Sequence, residues 1–275
     1  MNLLRKRKKN IRVISIEGEI KAKNTSMINK QSESQLDLLE KLYTIEIDDN
    51  IYGVLLRIDS PGGAAGTSEE IYQAIKAIAT KKPVVASIGN TGCSGAYMIA
   101  CAADYIMATK MAIVGSVGVI MQIPNVSKVK EKIGIDMITI KSGKMKDIGN
   151  MFRDMSEEER AFIQTLSNEC HQDFIDLVKN SRGDKLQEGA DELLDGRILS
   201  PATALKYGLI DGIGTYTDAL RLLCQKLDTK LEKVKLIHDK KKDGFINKFI
   251  DLSMESIAGN MIATLLENHS QKYFK

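Results

Sequence analysis

Apolar positions recur along this chain with two periods that alternate. Ile11 to Ile16 (IRVISI) is β-branched and alternating, which predicts a strand. From Ser32 or Ser34 to about Ile47, Leu36, Leu39, Leu42 and Tyr43 fall at helical spacing. Tyr52 to Ile58 (YGVLLRI) is a short apolar run, the pattern of a strand covered on both faces. It leads through Asp59-Ser60-Pro61-Gly62-Gly63 into a predicted helix over 67–79. Further strands are expected at 83–88, 105–108 and 113–120, and at 135–140 (IDMITI), where apolar and polar residues alternate. A short helix from Ser127 to Lys132 lies between the last two.

Ser156 and Glu159 have capping-box spacing ahead of a long amphipathic helix marked by Phe162, Ile163, Leu166, Cys170, Phe174, Leu177 and Val178. Ser200-Pro201 and Thr215 or Thr217 open two shorter helices, and 232–238 closes the series as a strand. Strands alternating with helices predict an α/β fold with a largely parallel sheet. The expected organisation is a basic tail over 1–10, one main domain over 11–238 and an amphipathic helical appendage over 239–275. The appendage has three readings: packing on the body, pairing with another subunit, or lying on a membrane surface.

Charge changes this picture little. The net charge is +3, but Arg5, Lys6, Arg7, Lys8 and Lys9 supply five positive charges, so the remaining chain stands at −2. Such a body does not predict nucleic-acid binding. The basic run reads as a solvated tail, a membrane-surface contact, or the flank of an absent anchor. The uncharged stretch from Pro83 to Ala103 could span a bilayer by length. Asn90, Thr91, Gly92, Ser94 and Gly95 interrupt it, so a buried strand, a turn and a buried helix are expected instead. Four cysteines without CxxC spacing predict neither zinc nor disulfides, and no apolar leader is seen. No cofactor or metal is expected, and the chain reads as cytoplasmic with reduced thiols.

The candidate chemistry centres on Asn90 to Asp104 (NTGCSGAYMIACAAD). Gly92 and Gly95 predict a tight turn with positive φ. Ser94 would sit at the start of a small-residue helix, where free N–H groups favour developing negative charge. The Pro-Gly-Gly loop at 61–63 offers further N–H groups for an oxyanion. A serine nucleophile needs a base. His171, His238 and His269 are not on loops expected near Ser94. Lysine is the other option, and Lys141, Lys144 and Lys146 cluster in one segment; if that segment is extended, Lys144 and Lys146 share a face. Ser116, within a glycine-rich strand, could orient a neutral lysine.

Four ordered segments carry a family resemblance: Asp59-Ser60-Pro61-Gly62-Gly63, Cys93-Ser94-Gly95-Ala96-Tyr97, Gly115-Ser116-Val117-Gly118-Val119, and Lys141-Ser142-Gly143-Lys144-Met145-Lys146-Asp147. Asp195-Gly196-Arg197 and Gly208-Leu209-Ile210-Asp211 extend it. The chain resembles the signal peptide peptidase A (protease IV) family of bacterial serine peptidases over roughly residues 11 to 225. The resemblance implies a Clp protease/crotonase-like fold with repeated ββα units. It implies a Ser-Lys dyad of Ser94 and Lys146, with Ser116 as the serine bonded to the lysine and Gly63 as an oxyanion-hole donor. It also implies hydrophobic or unfolded peptide substrates, including cleaved signal peptides, and a homo-oligomeric ring that assembles the dyad between subunits. Two positions depart from the family pattern: Cys93 before the serine and Ala96 after Gly95. The family's N-terminal anchor is not seen, so a shortened chain or a soluble member both fit, and location is left between cytoplasm and membrane surface. The competing readings are a non-catalytic membrane-associated scaffold and an acyl-CoA enzyme of the crotonase type.

Overall fold

The structure, a computed structural model, describes residues 8–21 and 35–239. Most of the basic tail and nearly all of the expected appendage lie outside the described residues. The elements run β1 (Lys9–Glu17), α1 (Gln35–Ile47), β2 (Ile51–Ser60), α2 (Ala65–Ala79), β3 (Val84–Cys93), α3 (Gly95–Ala100), β4 (Tyr105–Ala108) and β5 (Ile113–Gly115). They continue with α4 (Ser127–Ile133), α5 (Glu157–Arg182), β6 (Ile198–Leu199), α6 (Pro201–Lys206), β7 (Gly212–Ile213), α7 (Tyr216–Lys226) and β8 (Val234–Ile237).

The eight strands among the described residues join one sheet whose main path is β6-β5-β3-β2-β1-β8. Every pairing is parallel except β5 with β6. The apolar run of β2 is explained by two covers. Val54, Leu56 and Ile58 face a core shared with α1, α2 and α3, while Leu55 faces a second core with Leu220 and Leu223 of α7. Burying both faces is what a run without polar alternation encodes.

β3 is the strand that builds the site. Its first half pairs β4, with Val85 opposite Tyr105 through Ile88 opposite Ala108. Its second half pairs β5 instead, with Thr91, Gly92 and Cys93 opposite Ile113, Val114 and Gly115. The strand therefore runs through Gly89–Cys93, five residues past the expected end at Ile88.

The expected caps form. Ser156 and Glu159 make the capping box of α5, Ser200 caps α6 and Thr215 boxes with Asp218 on α7.

Two expected strands do not form as read. The run at 113–120 is a strand only to Gly115, because Ser116 turns out of the ladder with φ 54°. Residues 135–140 form no strand. Ile138 and Ile140 are 85% and 95% exposed, and alternation alone does not make a strand without a neighbour to pair and a surface to cover. From about 118 to 155 the chain is an arm outside the sheet, with only α4 as regular structure. No helix among the described residues is long and apolar enough to cross a membrane.

Candidate active site

Ser94 is the junction between β3 and α3. Its φ of 53° and ψ of −127° are unusual for a residue with a Cβ. The backbone is held there from three sides. Ser94 N–H donates to Gly115 O at 2.8 Å. Gly62 lies so close that an added Cβ would be 2.8 Å from Ser94 Cβ, Cys93 O and Gly95 N. Beneath the turn, α3 is pinned by the buried Tyr97 hydroxyl, which donates to Leu209 O at 2.6 Å. The Arg182 guanidinium forks onto Asp211 at 2.9 Å on both arms, fixing the same stretch.

The expected reason for the flanking glycines needs correcting. Neither Gly92 nor Gly95 has positive φ; the serine itself carries it. Gly92 is needed because a Cβ would meet the Ile88 side chain at 2.8 Å, and Gly95 because one would meet Ser68 Oγ at 2.2 Å. Among described residues other than glycine, positive φ occurs only at Ser94, Ser116 and Asp228. Backbone strain of this kind costs about 1–3 kcal/mol and persists where the surroundings over-determine it. Two of the three positions are the candidate site serines.

Ser116 sits one residue beyond the Gly115 that accepts from Ser94. Its N–H donates to Arg197 O at 2.8 Å, and Gly118 packs on Gly196, which leaves no room for a Cβ. Arg197 is itself held by Asp195, through Nε to Oδ1 at 2.7 Å and Nη2 to Oδ2 at 2.5 Å. The arginine keeps the Asp195 carboxyl at about 2. His171 reaches the same place from α5, with Nε2 3.0 Å from Val117 O and 2.8 Å from Leu194 O. A histidine is therefore closer to the site than the chain order suggests. Its Nε2 is spent on backbone carbonyls, the role of a strut and not of a base.

The Pro61-Gly62-Gly63 loop is clipped to the chain after β1. Ile20 N donates to Gly62 O and Ala64 N to Ile20 O, both at 2.8 Å. This pairing leaves Gly63 N–H without an acceptor among the described residues. Gly95 N–H, at the first position of α3, has no intrahelical acceptor either. An added Cβ on Gly95 would be 3.6 Å from Gly63 N, so the two donors are near neighbours beside Ser94. Deeper in the loop, Ser60 Oγ accepts from Gly62 N, and the Asp59 carboxylate accepts from Thr91 N and Asn90 Nδ2.

The protomer thus brings Ser94, Ser116 and Gly63 together at the ends of β3, β5 and β2. Lys146 is not among them and makes no hydrogen bond to either serine. It lies on the arm in a series of turns, not on an extended segment, so no shared face with Lys144 arises. The three lysines differ sharply. Lys141 pairs with Asp147 and Lys144 with Glu158, whereas the Lys146 ammonium has no partner among the described residues. The arm's polar contacts were invisible in the residue pattern: Arg153 binds both Asp147 and Glu159.

A sequence model of peptidase family S49 matches residues 76–230. The chain belongs to peptidase family S49. The assignment makes it a peptidase of the serine class. It is 41% identical over 196 residues to a protein described as a protease in Methanocaldococcus jannaschii, covering 71% of this chain and 62% of that one. It is 35% identical over 237 residues to a protein described as a signal peptide peptidase SppA in Enterococcus faecium, covering 84% and 67%. The chain thus spans about two thirds of the length of these relatives. Its fold matches that of a membrane-bound stomatin-specific protease, a lysine-to-alanine mutant solved with a substrate peptide, at a TM-score of 0.53 and 18% identity over 89% of this chain and 99% of that one.

Proposed function

We propose that this family member is an endopeptidase with a Ser94–Lys146 dyad, acting on hydrophobic or unfolded peptides such as cleaved signal peptides. The observation that carries the reading is Ser94 itself. It is held at positive φ on a helix N-terminus, with the unengaged N–H groups of Gly63 and Gly95 beside it.

Catalysis would begin with neutral Lys146 Nζ taking the Ser94 Oγ proton as the oxygen attacks a peptide carbonyl. Gly63 and Gly95 N–H would hold the oxyanion, each such donor contributing about 3 kcal/mol. The lysine ammonium then gives its proton to the leaving amine. In the second half it takes a proton from water, whose oxygen attacks the acyl carbon, and Ser94 regains its proton. Ser116 Oγ would orient the amine.

The base assignment favours Lys146 because its two neighbours are already engaged in ion pairs. A lysine must lose water around it to be neutral at working pH. Lys146 is exposed in the protomer, and it rides on an arm whose Ile120, Ile133, Ile138 and Ile140 are also exposed. Burial against a second copy in a homo-oligomeric ring would cover that apolar surface and desolvate the amine together. The relative described as a signal peptide peptidase and the neighbour solved with a substrate peptide support peptide substrates. Exposed Ile113 and Ile198 on β5 and β6 add apolar surface near the serines.

The test is hydrolysis of a fluorogenic hydrophobic peptide by the intact protein, Ser94→Ala and Lys146→Ala. Both variants should fall at least about a thousandfold. Full activity in Lys146→Ala would overturn the base, and full activity in Ser94→Ala the whole reading.

A further inference from the structure

The arm has no sheet partner, yet the turn that carries Lys146 is tied down. Lys146 N donates to Gly143 O at 3.1 Å, Ile148 N to Met145 O at 3.1 Å and Asn150 N to Asp147 O at 3.0 Å. These are local bonds and fix nothing relative to the body. Arg153 supplies the tether. Its Nε donates to Asp147 Oδ2 at 3.0 Å and its Nη2 to Asp147 O at 3.2 Å. The same guanidinium donates from Nη1 to Glu159 Oε2 at 2.8 Å and from Nη2 to Glu159 Oε1 at 2.5 Å.

Glu159 is no loose surface group. Its side chain is 5% exposed, and it closes the capping box of α5 by accepting from Ser156 N at 2.9 Å. Farther along, α5 is buried in the body at Phe174, Val178 and Arg182. One guanidinium therefore links the residue next to Lys146 to a helix rooted in the core.

We propose that Arg153 is a positioning residue for Lys146: by bridging Asp147 to Glu159 it fixes the lysine's turn on α5, and its charge offsets two carboxylates beside an amine that must work neutral. The proposal rests on reading Lys146 as the general base.

The charges around the turn are Lys141, Lys144 and Asp147 on the segment itself, Arg153 from the loop before α5, and Glu158 and Glu159 from α5. Lys144 and Glu158 pair with each other, and Lys141 pairs with Asp147. Arg153, then Lys141, hold the Asp147 carboxyl well below the usual carboxylate range. Arg153, then the Ser156 N–H, bring Glu159 to about 2. Both carboxylates therefore stay ionised wherever the enzyme would work. Without Arg153, Asp147 keeps only Lys141 and Glu159 keeps no cation, so the excess negative charge would favour the protonated lysine. Removing the Asp147 charge would have the opposite effect.

The experiment is the pH profile of kcat/KM, with kcat and KM resolved, for the intact protein, Arg153→Ala, Arg153→Lys, Asp147→Asn and Lys146→Ala, alongside thermal melting. Arg153→Ala should lower kcat by about tenfold or more while KM changes little. It should move the rising limb to higher pH by about half a unit to one unit. Asp147→Asn should move it to lower pH, and Arg153→Lys should restore the limb and part of kcat. A brace without electrostatic effect on the lysine would leave the limb where it is. An unmoved limb in both variants, or shifts in the same direction, would overturn the proposal. If Arg153→Ala does not fold, the limb of Asp147→Asn decides alone. A dead Lys146→Ala with an unaltered Arg153→Ala removes only this inference; a fully active Lys146→Ala removes the base assignment and this inference with it.

Discussion

The two serines and the lysine are held in different ways. Ser94 and Ser116 emerge from adjacent strands whose register puts Cys93 opposite Gly115, and the N–H of each is held by a backbone carbonyl, of Gly115 and of Arg197. Lys146 hangs on an arm with no ladder, fixed by turns, by Arg153 and by the exposed Lys144–Glu158 ion pair. The serine half is assembled by the folding of the sheet. The lysine half depends on polar contacts and, under the reading above, on a second copy. A nucleophile needs an exact angle of attack and suits a rigid strand end. A base that must be desolvated on assembly suits a segment the protomer leaves exposed.

The comparison breaks most severely if the serine half is altered at Gly62. Gly62→Ala adds a Cβ 2.8 Å from Ser94 Cβ, Cys93 O and Gly95 N, at a φ of 99°. Two of those three atoms are backbone and cannot rotate away. The expected cost is about 2–4 kcal/mol of stability, several degrees in Tm, and a loss of activity of about a hundredfold or more. Melting and peptide hydrolysis check both. A variant with native activity would mean that the loop does not press on the nucleophile.

The arm should answer in the opposite way. Ile138→Asp with Ile140→Asp changes two residues that touch almost nothing in the protomer. The protomer's stability should move by less than about 1 kcal/mol. Assembly should fail, and activity with it, because two carboxylates would have to be buried at the subunit contact. Light scattering beside hydrolysis reads both. An intact, active ring would place the contact elsewhere.

The same contrast explains what the residue pattern made legible. The doubly covered strand at Tyr52 to Ile58 and the capped α5 could be read because burial and caps leave periodic or local marks. The glycine-flanked serines stood out for a similar reason, although the positive φ proved to belong to Ser94 and not to Gly92 or Gly95. IDMITI misled because its apolar residues are unmatched within the protomer, and a pattern of apolar positions does not say which surface will cover them. Lys146 was one of three lysines by spacing, and the family resemblance alone singled it out. The ion pairs of Lys141 and Lys144 now give an independent reason. Glu159 was legible as the capping-box partner of Ser156, but its pairing with Arg153 left no mark because it depends on how the loop before α5 folds back.

The smallest effect expected is on acid stability, and it sharpens the contrast without a mutation in the site. Glu159 sits at about 2 in the folded chain, against an ordinary value near 4.5. Because the folded value is the lower one, its contribution is complete above about 4.5 and is lost as pH falls through 2. Asp195, also at about 2 beside Arg197, titrates in the same window on the serine side. The consequences differ. Losing the Asp195 pair leaves Ser116 N still bonded to Arg197 O and Ser94 N to Gly115 O within the sheet. Losing the Arg153–Glu159 pair leaves the lysine turn with its local bonds and the exposed Lys144–Glu158 ion pair. Hydrogen exchange between pH 4.5 and 2, corrected for intrinsic rates, should therefore show amides of 141–155 losing protection before those of 93–98. Glu159→Gln should bring the arm's loss to neutral pH. Simultaneous loss in both segments would mean that the arm and the serine turn unfold as one unit, and the distinction between the two halves of the site would not hold.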